Sequence, residues 1–143
     1  MTGIILVGHG NFGTGMLSSL ELLSGTPEYC KAIDFLSGMT QEDLEEQVLA
    51  LVHAEGWTKT VLLTDIVGGT PFKAAVKLSL EDPEIRVIAG INLPVLLQLA
   101  VDADQAVDID GCIEQAVEEG RFCLKKWILA SSVLVNKCDT SPD

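Results

Sequence analysis

Positive charge is scarce in this sequence: 9 Lys and Arg stand against 21 Asp and Glu, a formal net charge of −12. A chain that repels phosphate backbones this strongly is a poor nucleic-acid binder, and no nucleic-acid partner is expected. Long apolar runs are missing too. Segments such as Ile4–Val7 and Val61–Leu63 are a few residues long, whereas a bilayer span needs about 20. The start, Met1-Thr2-Gly3, lacks the basic region of a secretory signal, so a cytoplasmic location is expected. Cys30, Cys112, Cys123 and Cys138 form no C-x-x-C pair, which excludes a zinc ribbon or a redox dithiol. They read as reduced thiols. Asp102, Asp104, Asp108 and Asp110 do not keep the spacing of a twelve-residue calcium loop and read as a solvated acidic loop that supplies one helix cap.

What is present is core. The 143 residues are 48% apolar and 21% charged, enough to fill one domain and too few for two catalytic ones. Gly3–Gly8 is a continuous run rich in β-branched residues, the pattern of a strand buried on both faces. A glycine-rich loop follows, then a helical stripe of Met16, Leu17, Leu20 and Leu23, stopped by Gly25 and Pro27. The unit recurs. Ala32 to Leu36 predicts a second strand, and Thr40 caps a helix carrying Leu44, Val48, Leu51 and Val52, closed by Gly56. Val61–Leu63 is a third strand running into Asp65, after which Thr70 is expected as cap and Pro71 as first residue of the next helix. Ile85–Ala89 is a fourth strand. Asn92 and Pro94 restart a helix through Leu99, and Asp110 is expected to cap another ending at Gly120.

Repeated β-α units imply an α/β domain with a doubly wound, mostly parallel sheet and helices on both faces. Phe122 to Leu129 is expected to add an antiparallel edge strand. Its Lys125 and Lys126 discourage unwanted pairing, while Trp127 and Ile128 want a cover that a second copy of the chain would supply. The domain is expected to span residues 1–130, with a tail at 131–143.

In such a sheet the ligand site lies beyond the carboxyl ends of the strands. Those ends deliver Gly8-His9-Gly10-Asn11-Phe12-Gly13, then Asp65-Ile66-Val67-Gly68-Gly69-Thr70-Pro71, and Gly90-Ile91-Asn92-Leu93-Pro94. His9 is a candidate nucleophile. Its flanking glycines leave the ring uncovered, and the helix start that follows would favour a phosphoryl group. Asp65 is placed to hold one ring nitrogen and free the other. Gly68, Gly69 and Thr70 offer amides and a hydroxyl to an anion.

Competing readings exist for each feature. Gly8, Gly10 and Gly13 satisfy a dinucleotide-binding fingerprint, with Asp34 as a ribose ligand, although Asp34 lies 26 residues after Gly8 rather than the usual ~20. A histidine after a strand is often structural, Asp65 could cap a turn, and the glycines could be loop punctuation. His53 is read as satisfying carbonyls at a helix end, and Trp57 and Trp127 as packing or partner-facing residues.

Val7-Gly8-His9-Gly10, Thr64-Asp65-Ile66-Val67-Gly68-Gly69-Thr70-Pro71-Phe72 and Val87-Ile88-Ala89-Gly90-Ile91-Asn92-Leu93-Pro94 together resemble the IIA component of the mannose family of the bacterial sugar phosphotransferase system. The likeness runs over roughly residues 3 to 130. It implies a phosphocarrier that takes a phosphoryl group from HPr and hands it to a histidine of a IIB partner, with membrane IIC and IID components moving the sugar; the alternative within the same fold is a non-catalytic regulatory protein, phosphorylated without onward transfer to IIB. The chain would then lie at the membrane only through that complex. His9 would be phosphorylated on Nε2, Asp65 would orient it through Nδ1, and Thr70, with Gly10, Gly68 and Gly69, would hold the phosphoryl oxygens. Thr70 departs from the serine frequent in the family but keeps the hydroxyl, and Gly10-Asn11-Phe12 falls in a loop the family varies. The resemblance also implies a homodimer exchanging its C-terminal strand. It implies neither cofactor nor metal, and it names no sugar, since a IIA component never has to touch one.

Overall fold

The structure is a computed structural model, and it describes residues 1–128. β1 (Thr2–His9), β2 (Cys30–Phe35), β3 (Lys59–Thr64) and β4 (Ile85–Ile88) form a four-stranded parallel sheet in the order β2-β1-β3-β4. Between and after them run α1 (Phe12–Ser24), α2 (Gln41–Glu55), α3 (Thr70–Glu81), α4 (Leu93–Asp102) and α5 (Ile109–Cys123). Parallel neighbours require crossovers, and the helices are those crossovers.

Strand parity assigns the two faces. Ile4 and Leu6 of β1 pack with Val61 and Leu63 of β3 against α1, α4 and α5. Ile5 and Val7 pack with Leu62, Ile33 and Val87 against α2 and α3. All four β1 side chains from Ile4 to Val7 are at most 1% exposed, and each such burial is worth about 1.5–3 kcal/mol before the entropy of ordering is counted. By the same alternation Gly8 faces α1, where an added Cβ would lie 2.5 Å from the Phe12 ring. His9 shares the face of Ile5 and Val7.

Helix ends follow the sequence with two corrections. Thr40 caps α2 in a full capping box with Asp43, and Asn92 caps α4 by accepting from the Val95 amide, as expected. The cap of α3, however, is Gly69 rather than Thr70. Thr70 is already helical, and no side chain caps that end. The cap of α5 is Asp108, whose carboxylate accepts from Gly111, rather than Asp110; Asp110 instead pairs with Arg86 of β4 at 2.7 Å. Trp57 is a packing residue, lying flat on Gly3, where an added Cβ would come within 2.0 Å of its ring. His53 sits in the last turn of α2, its carbonyl accepting from Gly56.

The expected edge strand does not begin at Phe122. Phe122 and Cys123 close α5, residues 124–128 hold no regular structure, and the remainder of that segment and the tail lie outside the described residues. The helix runs on because Gly120 is needed for contact rather than for termination: an added Cβ there would meet Val95 at 2.3 Å. Cys30 and Cys112 are free and buried.

Candidate functional site

β1 and β3 are adjacent, yet the chain leaves β1 towards β2 on one side and β3 towards β4 on the other. Their carboxyl ends therefore bound the crevice where an open α/β sheet places its ligand. His9 is the last residue of β1, and Asp65 follows the last residue of β3.

The topology brings these two into contact. Asp65 Oδ2 accepts from both the backbone amide and Nδ1 of His9, each at 2.8 Å, and Oδ1 accepts from the Ile66 amide at 2.9 Å. A carboxylate accepting at Nδ1 puts the ring proton there and leaves the lone pair on Nε2. Burial raises the affinity of the Asp65 carboxyl for a proton, but the hydrogen bonds from the His9 amide, the His9 ring and Ile66 outweigh it, so its pKa lies below the ordinary 3.8. The His9 side chain is 44% exposed and that of Asp65 12%. The ring is thus open to solvent while the carboxylate that holds it is sheltered.

The other side of the ring meets Gly69. An added Cβ on Gly69 would lie 2.7 Å from His9 Cε1 and 3.3 Å from Nε2, so the imidazole edge bearing the free nitrogen rests against the residue that opens α3. That end has no side-chain cap and no acidic residue in its first turn. Its amides and dipole make it an anion-favouring end beside Nε2. Gly10 and Gly68, on the bordering loops, adopt φ of 56° and 88°, a left-handed backbone that other residues reach only at a cost.

The helix field beside His9 comes from α3 and not, as expected from the sequence, from α1, the next helix in the chain. The carboxylate of Asp34 occupies the start of α1, accepting from the Thr14 amide at 3.0 Å and the Thr14 hydroxyl at 2.7 Å. The same contacts overturn the dinucleotide reading of Gly8, Gly10 and Gly13. The acid meant for a ribose already caps the helix meant for a pyrophosphate, and the Phe12 side chain fills the space above Gly8. Thr70 follows Gly69 as the first residue of α3, half-buried.

Two features escaped the sequence reading. Phe35, the last residue of β2, stands edge-on to His9, ring centroids 5.8 Å apart at 83°. The loops bordering the site also carry little charge: residues 10–20, 35–41, 66–72 and 89–101 contain no Lys, Arg, Asp or Glu, although Arg121 of α5 lines a hollow with Gly90, Ile91 and Asn92. Leu36, beyond β2, and Ile66 and Val67, beyond β3, expose apolar side chains at the strand ends flanking β1. Among the described residues no three His, Cys, Asp or Glu side chains group as metal ligands.

The class the structure defines is an open parallel α/β sheet with an oriented, exposed histidine at its switch point. The family follows from comparison with known proteins: residues 3–117 match the family model described as "PTS system fructose IIA component" (EIIA-man), and the chain belongs to that family. It is 37% identical over 127 residues to the "PTS system mannose-specific EIIAB component" of Escherichia coli K12, covering 87% of this chain and 39% of the relative. The chain thus spans well under half of that longer protein. It is 31% identical over 101 residues to the "PTS system sorbose-specific EIIA component" of Lacticaseibacillus casei, covering 71% of this chain and 73% of the relative. Among solved structures it superposes on "phosphotransferase system component EIIA from Streptococcus agalactiae" with a TM-score of 0.79 and 33% identity, over 88% of this chain and 97% of the other.

Proposed function

We propose that this chain is a cytoplasmic phosphohistidine carrier of a sugar phosphotransferase system, charged by HPr and discharged to a IIB component. The observation that carries the reading is the division of labour on one imidazole: Nδ1 bound to Asp65 at 2.8 Å, Nε2 free beside the uncapped start of α3. The Nε2 lone pair forms the N–P bond as the N–P bond to the donor histidine breaks and that ring recovers its electron pair. Asp65 stabilises the positive charge that reaches the His9 ring, and it meets that charge through Nδ1, away from the incoming oxygens. Gly10, Gly68 and Gly69 amides, with the Thr70 hydroxyl, receive the phosphoryl oxygens. Catalysis of this kind is positioning and fixed electrostatics. Transfer to IIB is the same step reversed with a different partner.

The exposed apolar rim of Leu36, Ile66 and Val67 supports a face that two proteins visit in turn. Sugar passage belongs to membrane IIC and IID components, which this chain reaches through IIB. A homodimer with an exchanged C-terminal antiparallel strand is part of the proposal; its support is the run Phe122, Leu124, Trp127 and Ile128, all 49–80% exposed at the end of the described chain.

The test is reconstitution with phosphoenolpyruvate, enzyme I and HPr. The expected product is a singly phosphorylated, acid-labile protein that passes its label to IIB and that His9→Ala cannot form. Labelling that persists in His9→Ala overturns the site, and label taken up but never passed on overturns the relay.

A further inference from the structure

Asp65 fixes which nitrogen of His9 carries the proton, but one hydrogen bond in the ring plane leaves the imidazole free to rock about the line through that bond. The aim of Nε2 then needs a second constraint. Phe35 is in register with His9 across the parallel β1–β2 pair, and register partners point to the same face of a sheet. Its ring meets the imidazole at 83° with centroids 5.8 Å apart, the edge-to-face arrangement aromatic rings prefer. Its carbonyl also accepts from the Gly10 amide at 2.9 Å, which fixes the first peptide after His9. Phe35 is held in turn, half-buried in the layer that contains Ile33, Leu44 and Val48.

We infer that Phe35 is a positioning residue for phosphoryl transfer: its ring locks the plane of the His9 imidazole so that Nε2 stays beside Gly69 and the start of α3. The inference rests on the phosphocarrier reading for its kinetic consequence but not for its geometric one. The backbone bond to Gly10 survives any side-chain change at position 35, so substitution isolates the ring contact. A ring that rocks spends less time aligned with an incoming phosphorus, and the loss appears in the transfer step rather than in partner affinity.

The experiment compares the wild type with Phe35→Leu, Phe35→Met and Phe35→Tyr in two measurements. Nitrogen NMR of the unphosphorylated protein reads the tautomer and ring exchange of His9. Single-turnover transfer from phosphorylated HPr reads the rate at saturation separately from half-saturation. Phe35→Leu is expected to broaden or shift the His9 ring signals and to lower the saturating rate roughly 3- to 10-fold, the scale of one aromatic pair, with half-saturation unchanged. Phe35→Met serves the same purpose where Phe35→Leu folds poorly, and Phe35→Tyr should restore both readouts. Wild-type ring signals and wild-type saturating rate in the folded Leu or Met variant overturn the inference, as does a loss confined to half-saturation, which would make Phe35 a docking residue. If the wild type accepts no phosphoryl group, the carrier reading falls, and the ring signals still decide whether Phe35 restrains His9.

Discussion

Two helices begin at the carboxyl end of the sheet within reach of the glycine-rich loops, and they begin differently. The start of α1 is closed by a carboxylate from the neighbouring strand, Asp34, which satisfies the Thr14 amide. The start of α3 has a glycine as cap, no side chain closing it and no acid in its first turn. A glycine cap forgoes only a few tenths of a kcal/mol against a side-chain cap, and it leaves the first amides of α3 unclaimed beside an exposed histidine, where the proposed function would place the phosphoryl group. Under the proposed function, capping one end and leaving the other bare would direct a negative group to the face of the sheet that carries His9. The overall charge of −12 works against such a group everywhere else.

Equipping α3 as α1 is equipped gives the largest expected effect. Thr70→Asp places a carboxylate in the first turn of α3, and transfer from HPr should fall about 10²- to 10³-fold. Stability should hold or rise by about 0.5 kcal/mol, since an acid suits a helix start. Denaturant melts beside transfer kinetics check it, and parallel losses in both would break the comparison. Gly69→Ala should cost roughly 10²-fold in transfer with the fold intact, because its Cβ would lie 2.7 Å from His9 Cε1; retained rates would show that the ring does not depend on this approach.

Asp65→Asn should slow transfer about 10-fold by offering Nδ1 an ambiguous partner. It should also change the acid limb of stability. Because the folded pKa of Asp65 is depressed, its contribution is fully present above the ordinary 3.8 and is lost as pH falls through the lower folded value. Urea midpoints measured through that range should fall less steeply in Asp65→Asn than in the wild type. The smallest effect on transfer belongs to α1: Asp34→Ala should destabilise by about 1 kcal/mol, read as a shift in Tm, and change transfer by less than about twofold. A tenfold loss there would mean that both helix starts serve the site.

Much of this was legible before any coordinates. Gly3–Gly8, Val61–Leu63 and the helical stripes specify buried strands and crossovers, and their alternation brings His9 and Asp65 to one edge. The helix caps were less legible. Thr70 beside Pro71 has the composition of a cap, and only the backbone shows that Gly69 takes the position because the His9 ring needs the room. Asp108 and Asp110 are chemically equal candidates, separated by the Arg86 of another element. Asp34 looked like a ligand residue because its partner, Thr14, belongs to a different strand–helix unit. Phe35 was read as one more strand residue. Parity held the missing signal: odd positions of β1 run Ile5, Val7, His9, so His9 belongs to the α2–α3 layer even though α1 is its neighbour in sequence.

That alternation has a consequence for how the family can vary. In a strand of period two a substitution leaves the other side chains on their own faces, but the loss or gain of a single residue inside β1 turns every later side chain over. His9 would then emerge on the α1 side, opposite the aspartate that already fills that helix start, and would lose Asp65, Gly69 and Phe35 together. The length of β1 is therefore as strict a requirement as its residues: one inserted or deleted residue is expected to dismantle the site even where every remaining side chain is unchanged.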